Sequence, residues 1–370
     1  MKIQRPKIVV DQDIPFLRGV LEPYAQVVYQ KGSAIDAQQV RDAKALLVRT
    51  RTSCDRSLLE GSSVAFVGSA TIGADHVDQE ALSQLGIAFA NVPGCNSGGV
   101  MQYVFTALYG LVARGTDVLS GDPKGRWAPG RTLGVIGVGH VGSRVVQVAK
   151  ALGFQVLACD PPRQAAEFAA GFQPTPFVDL DTLLAASDVV TLHVPLDATT
   201  RGMVGQNFLD KMKRGAILIN TSRGPVIEQE PVLAARQSGH LGGLVLDVWP
   251  QEPALDPALL AACDWASPHI AGYSWEGKIN GTNGVVRALA AHQGWDSLLE
   301  FDARQVVPAA ECRYAPTWDL SQLAHADNAT LAEHFESVFD LPGISHRLKQ
   351  SPELFEEFRS KFDFRPEFSF

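Results

Sequence analysis

The segment Gly137-Val138-Gly139-His140-Val141-Gly142 closes the apolar run Leu133-Gly134-Val135-Ile136 and opens the helix-compatible stretch Ser143-Arg144-Val145-Val146-Gln147-Val148-Ala149. A glycine-rich turn means little alone, but a strand before it and a helix after it are the setting of a dinucleotide-binding turn. One glycine makes the turn, one admits the pyrophosphate to the backbone, and one lets helix pack on strand. The phosphates then meet the positive end of a helix. A second strand-like run, Gln155-Val156-Leu157-Ala158-Cys159, ends at Asp160, about twenty residues beyond the glycines, where a carboxylate accepts from the adenosine ribose. That charge repels a 2′-phosphate, so NAD is expected rather than NADP. Arg163 stands close enough to soften the preference, although Pro161 and Pro162 fix a turn that can aim it elsewhere.

Short apolar runs alternate with amphipathic stretches along most of the chain, which is the rhythm of strand, helix, strand in a parallel sheet. Ile8-Val9-Val10, Ala45 to Val48 and Ala65 to Gly68 mark a first set. Leu133 to Ile136, Val156, Val189 to Leu192, Ala216 to Ile219 and Gly243 to Leu246 mark a second. Two doubly wound α/β units follow, with a substrate cleft expected between them. Gly98 to Ala113 reads as a bridging helix, and about Trp275 to Ala291 as a second one returning the chain to the first unit. The expected division is 1–98 with 275–304 for substrate, 99–274 for cofactor, and 305–370 as a small C-terminal domain. In that last segment Phe335, Phe339, Phe355, Phe358, Phe362, Phe364, Phe368 and Phe370 recur in short amphipathic pieces. They read equally as a self-contained core or as a subunit interface, because a small segment buries little by itself.

With 370 residues, 46% of them hydrophobic, there is ample core for such units. The net charge of -8 leaves no basic stripe, so nucleic acid and anionic membrane are not expected partners. No apolar stretch is long enough to span a bilayer, and the opening residues lack the apolar core of a signal peptide. A cytoplasmic location is therefore expected. Cys54, Cys95, Cys159, Cys263 and Cys312 are widely spaced without a CxxC pair, which reads as reduced thiols and no metal site.

Oxidising a secondary alcohol requires a base for the hydroxyl proton while hydride leaves carbon for a nicotinamide. His269, in Ser267-Pro268-His269-Ile270-Ala271-Gly272, follows a strand-like segment and can face a cleft. Glu252 supplies a carboxylate that would orient an imidazole and favour its protonated form, although a carboxylate before Pro253 also reads as an ordinary loop residue. Arg223 follows Leu218-Ile219-Asn220-Thr221-Ser222 at the strand edge where doubly wound sheets hold ligands, and its planar fork suits a carboxylate. In Val48-Arg49-Thr50-Arg51-Thr52, Arg49 and Arg51 share a face if the strand continues and could chelate a phosphate dianion; the same residues read as a solvated strand end.

In its glycine fingerprint followed in order by Arg223, Glu252 and His269, and in the segments Phe66 to Asp78, Val92-Pro93-Gly94-Cys95-Asn96, Leu246-Asp247-Val248-Trp249 and Pro268 to Lys278, the chain resembles the D-isomer-specific 2-hydroxyacid dehydrogenases. The resemblance covers roughly the first three hundred residues. It implies a Rossmann-type NAD domain, a flavodoxin-like substrate domain and a small C-terminal α+β domain through which the chain would form a homodimer. It also implies that His269 accepts the proton, Glu252 partners it, and Arg223 holds the carboxylate of a small phosphorylated 2-hydroxy acid. Gly137, Gly139, His140, Val141, Gly142, Asp160, Val194, Asp247 and Gly272 are implied cofactor contacts. Arg49, Thr50, Arg51, Thr71, Asn96, Tyr273 and Lys278 are the candidate substrate contacts. Val194 stands where a threonine is common, Ala74 replaces a usual threonine and Pro250 a usual glutamate, and none of these removes a catalytic group. Two other readings are another dehydrogenase of the family, such as phosphoglycerate dehydrogenase, and an NAD(H)-sensing scaffold like the corepressors that resemble these enzymes.

Overall fold

Runs of Val, Ile and Leu buried on both faces make parallel strands, and the chain uses them twice. The computed structural model describes residues 5–115, 124–172, 175–307, 317 and 320–368, so Cys312 and Phe370 lie outside the described residues. Two compact units result, one of Met1–Asn96 with Ser274–Arg313 and one of Ser97–Tyr273 with Tyr314–Phe370.

The first unit holds strands β1 (Lys7–Asp11), β2 (Gln26–Gln30), β3 (Ala45–Val48), β4 (Phe66–Ser69) and β5 (Ala88–Ala90). They pair in parallel in the order β2-β1-β3-β4-β5, the flavodoxin-like winding. β3 and β4 are wholly buried, whereas the edge strands β2 and β5 are only half-buried. The helix Trp275–Gln293 closes this unit against β4.

The second unit opens with α1 (Ser97–Arg114), buried from Ser97 to Val112. Its strands are β6 (Thr132–Ile136), β7 (Gln155–Cys159), β8 (Val189–Leu192), β9 (Ala216–Asn220), β10 (Leu241–Leu246) and β11 (Trp265–Ala266). All pair in parallel, in the order β11-β10-β9-β8-β6-β7. From β6 the chain runs outward to β7 and then back past β6 to β8. The ends of β6 and β8 thus form the switch point where such sheets bind ligands. α2 (His140–Leu152) follows β6, and α3 (Pro161–Ala169) follows β7.

The aromatic tail belongs to this second unit. Among the described residues it is helical, with α4 (Asn328–Glu336), α5 (Leu341–Gln350) and α6 (Phe355–Ser360) its longer pieces. Phe335 lies 6.0 Å from Phe105 and 5.8 Å from Tyr109, both on α1. Phe335, Phe339 and Phe368 share one hydrophobic cluster with α1, α2 and the sheet, and Phe355 shares another with Trp249. One polar tie joins the tail to β11, where the Ala266 N–H donates to the Ser345 hydroxyl at 3.0 Å; the neighbouring Trp265 donates its indole N–H to the Ala107 carbonyl of α1 at 3.0 Å. A segment this small finds its core by sharing one.

Candidate active site

The glycine turn sits at the switch point and is shaped by close approach. Gly137 has φ +84°, and a Cβ there would come within 2.7 Å of the His193 backbone; a Cβ on Gly142 would come within 2.0 Å of the Gly137 carbonyl oxygen. At Gly139 a Cβ would meet nothing within 4 Å, so the open side of the turn is free for a ligand. Gly139 is also the N-cap of α2, and no side chain caps that end. The first N–H groups of a 13-residue helix are left for an acceptor, with the helix dipole behind them. His140 and Val141 form the first turn, and Val194 packs beside Gly137. This cradle fits a dinucleotide pyrophosphate.

Asp160 ends β7 as expected, and its carboxylate accepts from the Val138 N–H at 2.7 Å and the Arg163 N–H at 3.0 Å. Two lone-pair positions of a carboxylate remain for ribose hydroxyls. Pro161 and Pro162 start α3 rather than ending in a turn, because proline at the first helical positions gives up no hydrogen bond. Arg163 is thereby turned back onto the glycine turn, donating to the Val138 carbonyl and to Ser143 Oγ, and it pairs with Glu167 at 2.7 Å.

Arg223, Glu252 and His269 hang from the C-terminal ends of three adjacent strands, β9, β10 and β11. Nδ1 of His269 and Oε2 of Glu252 are 2.8 Å apart, and the other carboxylate oxygen accepts from the Trp249 N–H at 2.9 Å. Burial works against the charge of Glu252, but the hydrogen bond and charge of His269, the Trp249 N–H and the Arg359 charge outweigh it and hold the carboxyl below its usual range. An ionised Glu252 can only accept, so Nδ1 carries the proton and Nε2 is left as the basic nitrogen. Arg223 leaves β9 in extended backbone and donates to the Ser222 carbonyl at 2.8 Å. The next residue must be glycine, since a Cβ on Gly224 would fall 1.8 Å from the Trp249 carbonyl oxygen. That contact seats the Arg223 turn against the loop that carries Glu252.

His269 holds a left-handed backbone, φ +58°, which costs a non-glycine residue about 1–3 kcal/mol and persists only where neighbours fix it. Asp247, 1% exposed, fixes it. Its carbonyl accepts the His269 N–H at 2.8 Å, Oδ1 accepts the Ile270 N–H at 2.7 Å and the Ser267 hydroxyl at 2.6 Å, and Oδ2 accepts the Ala271 N–H at 2.9 Å. Ser267 spends its one proton on Asp247, so the buried Tyr103 phenol, 2.7 Å away, donates to Ser267. Asp247, expected as a cofactor contact, is in the structure the anchor of the loop that carries His269. Burial raises its carboxyl above the usual range, opposed by the nearby His269 charge and these hydrogen bonds. Gly272 and Tyr273 follow in the same loop, and the Tyr273 N–H donates to the Ile270 carbonyl at 2.8 Å.

In the first unit the expectation that Arg49 and Arg51 share a strand face is corrected. β3 ends at Val48, and Thr50 and Arg51 form an exposed turn that Thr52 ties down by donating to the Gly32 carbonyl at 2.9 Å. Arg49 donates to the Asp13 carbonyl at 2.9 Å. Thr71 Oγ1 lies 2.7 Å from Ser69 Oγ and donates to the Gly73 carbonyl at 3.1 Å. Oδ1 of Asn96 is buried with no hydrogen-bond partner from the described residues. Lys278 lies in the first turn of the helix Trp275–Gln293, half-buried.

Sequence reasoning missed the arginines of the tail. Arg359, on α6, places its charge beside Glu252 and Tyr273, and Arg365 lies buried under the His269 loop. Their signal was single arginines set among phenylalanines, a pattern that an exposed basic residue produces equally well.

Among the described residues, no helix is long and apolar enough to cross a membrane. Residues 112–271 match the D-isomer specific 2-hydroxyacid dehydrogenase NAD binding domain. Among solved structures, a D-lactate dehydrogenase from Aquifex aeolicus complexed with NAD and lactic acid shares the fold at TM-score 0.64 and 24% identity, over 80% of this chain and 98% of that one. The cofactor-bound 3-phosphoglycerate dehydrogenase of Entamoeba histolytica matches at TM-score 0.63 and 25% identity, over 79% and 96%. Over nearly full length the chain is 38% identical to the erythronate-4-phosphate dehydrogenase of Bacteroides fragilis, covering 98% of this chain and 97% of the relative. It is 43% identical to that of Salinibacter ruber over 295 residues, 79% of this chain and 73% of the relative. With its glycine cradle and its Arg223, Glu252 and His269 at three neighbouring strand ends, the chain belongs to the D-isomer-specific 2-hydroxyacid dehydrogenases, NAD-dependent oxidoreductases, and within them to the family of the erythronate-4-phosphate dehydrogenases.

Proposed function

We propose that this chain oxidises 4-phospho-D-erythronate to 2-oxo-3-hydroxy-4-phosphobutanoate, as a step towards pyridoxal 5′-phosphate. The observation that carries the reading is the hydrogen bond between His269 Nδ1 and Glu252 Oε2 at 2.8 Å, which leaves Nε2 to take the C2 hydroxyl proton. Arg223 binds the substrate carboxylate and the oxygen on C2 through its fork. As C2 becomes a carbonyl the proton rests on His269, where the fixed charge of Glu252 stabilises the imidazolium. Bound NAD supplies the acceptor for the C2 hydride, held by the Gly137, Gly139 and Gly142 turn, Asp160 and the residues around Val194 and Gly272.

For the phosphate we assign Arg49, Thr50, Arg51 and Lys278, with Thr71, Asn96 and Tyr273 as further substrate contacts. Support comes from the exposed turn 50–51 and from the buried Oδ1 of Asn96, which has no hydrogen-bond partner among the described residues. We further propose a cytoplasmic homodimer. Because the tail aromatics are core to the second unit, its size is best measured on the intact chain over a range of concentrations. A mass of one chain at micromolar concentration would remove the dimer.

The mechanism is tested with His269→Asn. Turnover of 4-phospho-D-erythronate should fall by about 10²- to 10⁴-fold, the usual worth of a positioned base, with NAD still bound. Near-normal turnover would show that His269 is not the proton acceptor.

A further inference from the structure

The loop that carries His269 is held from two opposite chemical sides. Its N–H groups, at His269, Ile270 and Ala271, go to Asp247. Its carbonyl groups go to Arg365, far away in the sequence. Nη1 of Arg365 donates to the Ile270 carbonyl at 3.2 Å and the Tyr273 carbonyl at 3.0 Å; Nη2 donates to the Ala271 carbonyl and to the Gly99 carbonyl of α1, the latter at 2.7 Å. Arg365 is 3% exposed, and its guanidinium carbon lies 4.0 Å from the Phe339 ring centroid. Four backbone carbonyls and an aromatic face thus replace the water that a buried cation loses.

The residues around Arg365 keep it there. Phe362 and Phe364 meet the Tyr273 ring edge-on at 6.3 and 6.2 Å. The Glu367 carboxylate lies so close to Gly98 that a Cβ there would fall 2.0 Å from its oxygen. A carboxylate at the start of an 18-residue helix gains from the helix dipole.

We infer that Arg365 is a positioning residue for the catalytic loop, so that the C-terminal tail completes the active site by locking the carbonyls of Ile270, Ala271 and Tyr273 while Asp247 locks the N–H groups. A left-handed His269 backbone needs such over-determination, and a misplacement of about 1 Å at a reacting group can cost about 10²-fold in rate. The inference rests on the proposed role of His269 as proton acceptor.

The test compares the intact chain with Arg365→Lys, Arg365→Gln and Phe339→Leu, the last loosening the guanidinium from beneath while keeping an apolar side chain. Backbone hydrogen exchange is read at Ile270 and Ala271 without substrate, and kcat with 4-phospho-D-erythronate is read per folded, NAD-binding molecule. The expected result is faster exchange at those amides, unchanged exchange in β6 to β10, and kcat down by about 10- to 100-fold in the Arg365 variants, with a smaller loss in Phe339→Leu. Unchanged exchange, or faster exchange with undiminished kcat, would overturn the inference. Should the Arg365 variants fail to fold, Phe339→Leu decides by the same two readings. Absence of turnover in the unmodified chain would instead count against the proposed reaction, and the exchange comparison would still decide whether Arg365 holds the loop.

Discussion

Glu252 spends one carboxylate oxygen on His269 Nδ1 at 2.8 Å and the other on the Trp249 N–H at 2.9 Å. The imidazole is therefore held by a carboxylate that is itself held by backbone. Such a partner fixes the tautomer as well as the position of the ring.

Replacing Glu252 by Gln keeps an acceptor for Trp249 and removes the charge. We expect kcat to fall by about 10- to 100-fold, less than the loss for His269→Asn, since the base remains but its protonated form loses its counter-charge. Steady-state rates with NAD saturating would measure this, and a rate equal to the unmodified chain would deny Glu252 its role.

The same pair gives a pH signature. The Glu252 carboxyl lies below its ordinary value of 4.5, so the folded state binds its proton less readily than the unfolded state. Its contribution to stability is complete above that value and is lost as pH falls through the lower folded one. Denaturant midpoints measured from pH 6 down to about pH 3 should drop less steeply in Glu252→Gln than in the parent. Parallel curves would contradict the linkage.

Asp247→Asn sets an amide NH2 against donors that a carboxylate now satisfies. The Ser267 hydroxyl and the Ile270 and Ala271 N–H groups cannot all be accepted by one amide oxygen. Unfolding free energy should fall by about 1–3 kcal/mol, and kcat should fall more than the folded fraction explains. Equal losses in the two would reduce Asp247 to a structural role.

Much of this arrangement can be read from residue order. Buried strands such as Leu133 to Ile136 and Ala216 to Ile219 are visible because burial on both faces demands unbroken apolar runs. The edge strand Gln26–Gln30 escapes notice because an edge tolerates polar ends. The glycine turn and the order Arg223, Glu252, His269 are legible because each residue type is dictated by chemistry or close approach. The end of β3 at Val48 is not legible, since Arg49 to Thr52 could continue a strand as easily as turn. Arg365 is hidden for another reason: it donates to four backbone carbonyls, which any sequence supplies.

Gly142→Ala tests the cofactor cradle. The added Cβ meets a backbone oxygen at 2.0 Å, which cannot move without opening the turn. Affinity for NAD, measured by calorimetric titration, should fall at least about tenfold, or ~1.4 kcal/mol. An unchanged Kd would mean that the turn does not hold the pyrophosphate.

Phe335→Ala should lower the unfolding free energy of the second unit by about 3–5 kcal/mol, the usual cost of removing a buried aromatic ring, because Phe335 is fully buried against Phe105 and Tyr109. Chemical denaturation followed by the fluorescence of bound NADH would report it. A loss below about 1 kcal/mol would place the tail outside that core.

The most direct measurement is NADH formation by the purified chain with 4-phospho-D-erythronate, beside 3-phospho-D-glycerate and D-lactate, with a 2-oxo acid supplied in parallel to reoxidise retained cofactor. Selective turnover of phosphoerythronate, lowered by about 10²- to 10⁴-fold in His269→Asn, is the expected result. Preference for either other acid, or no turnover of any of them, would contradict it.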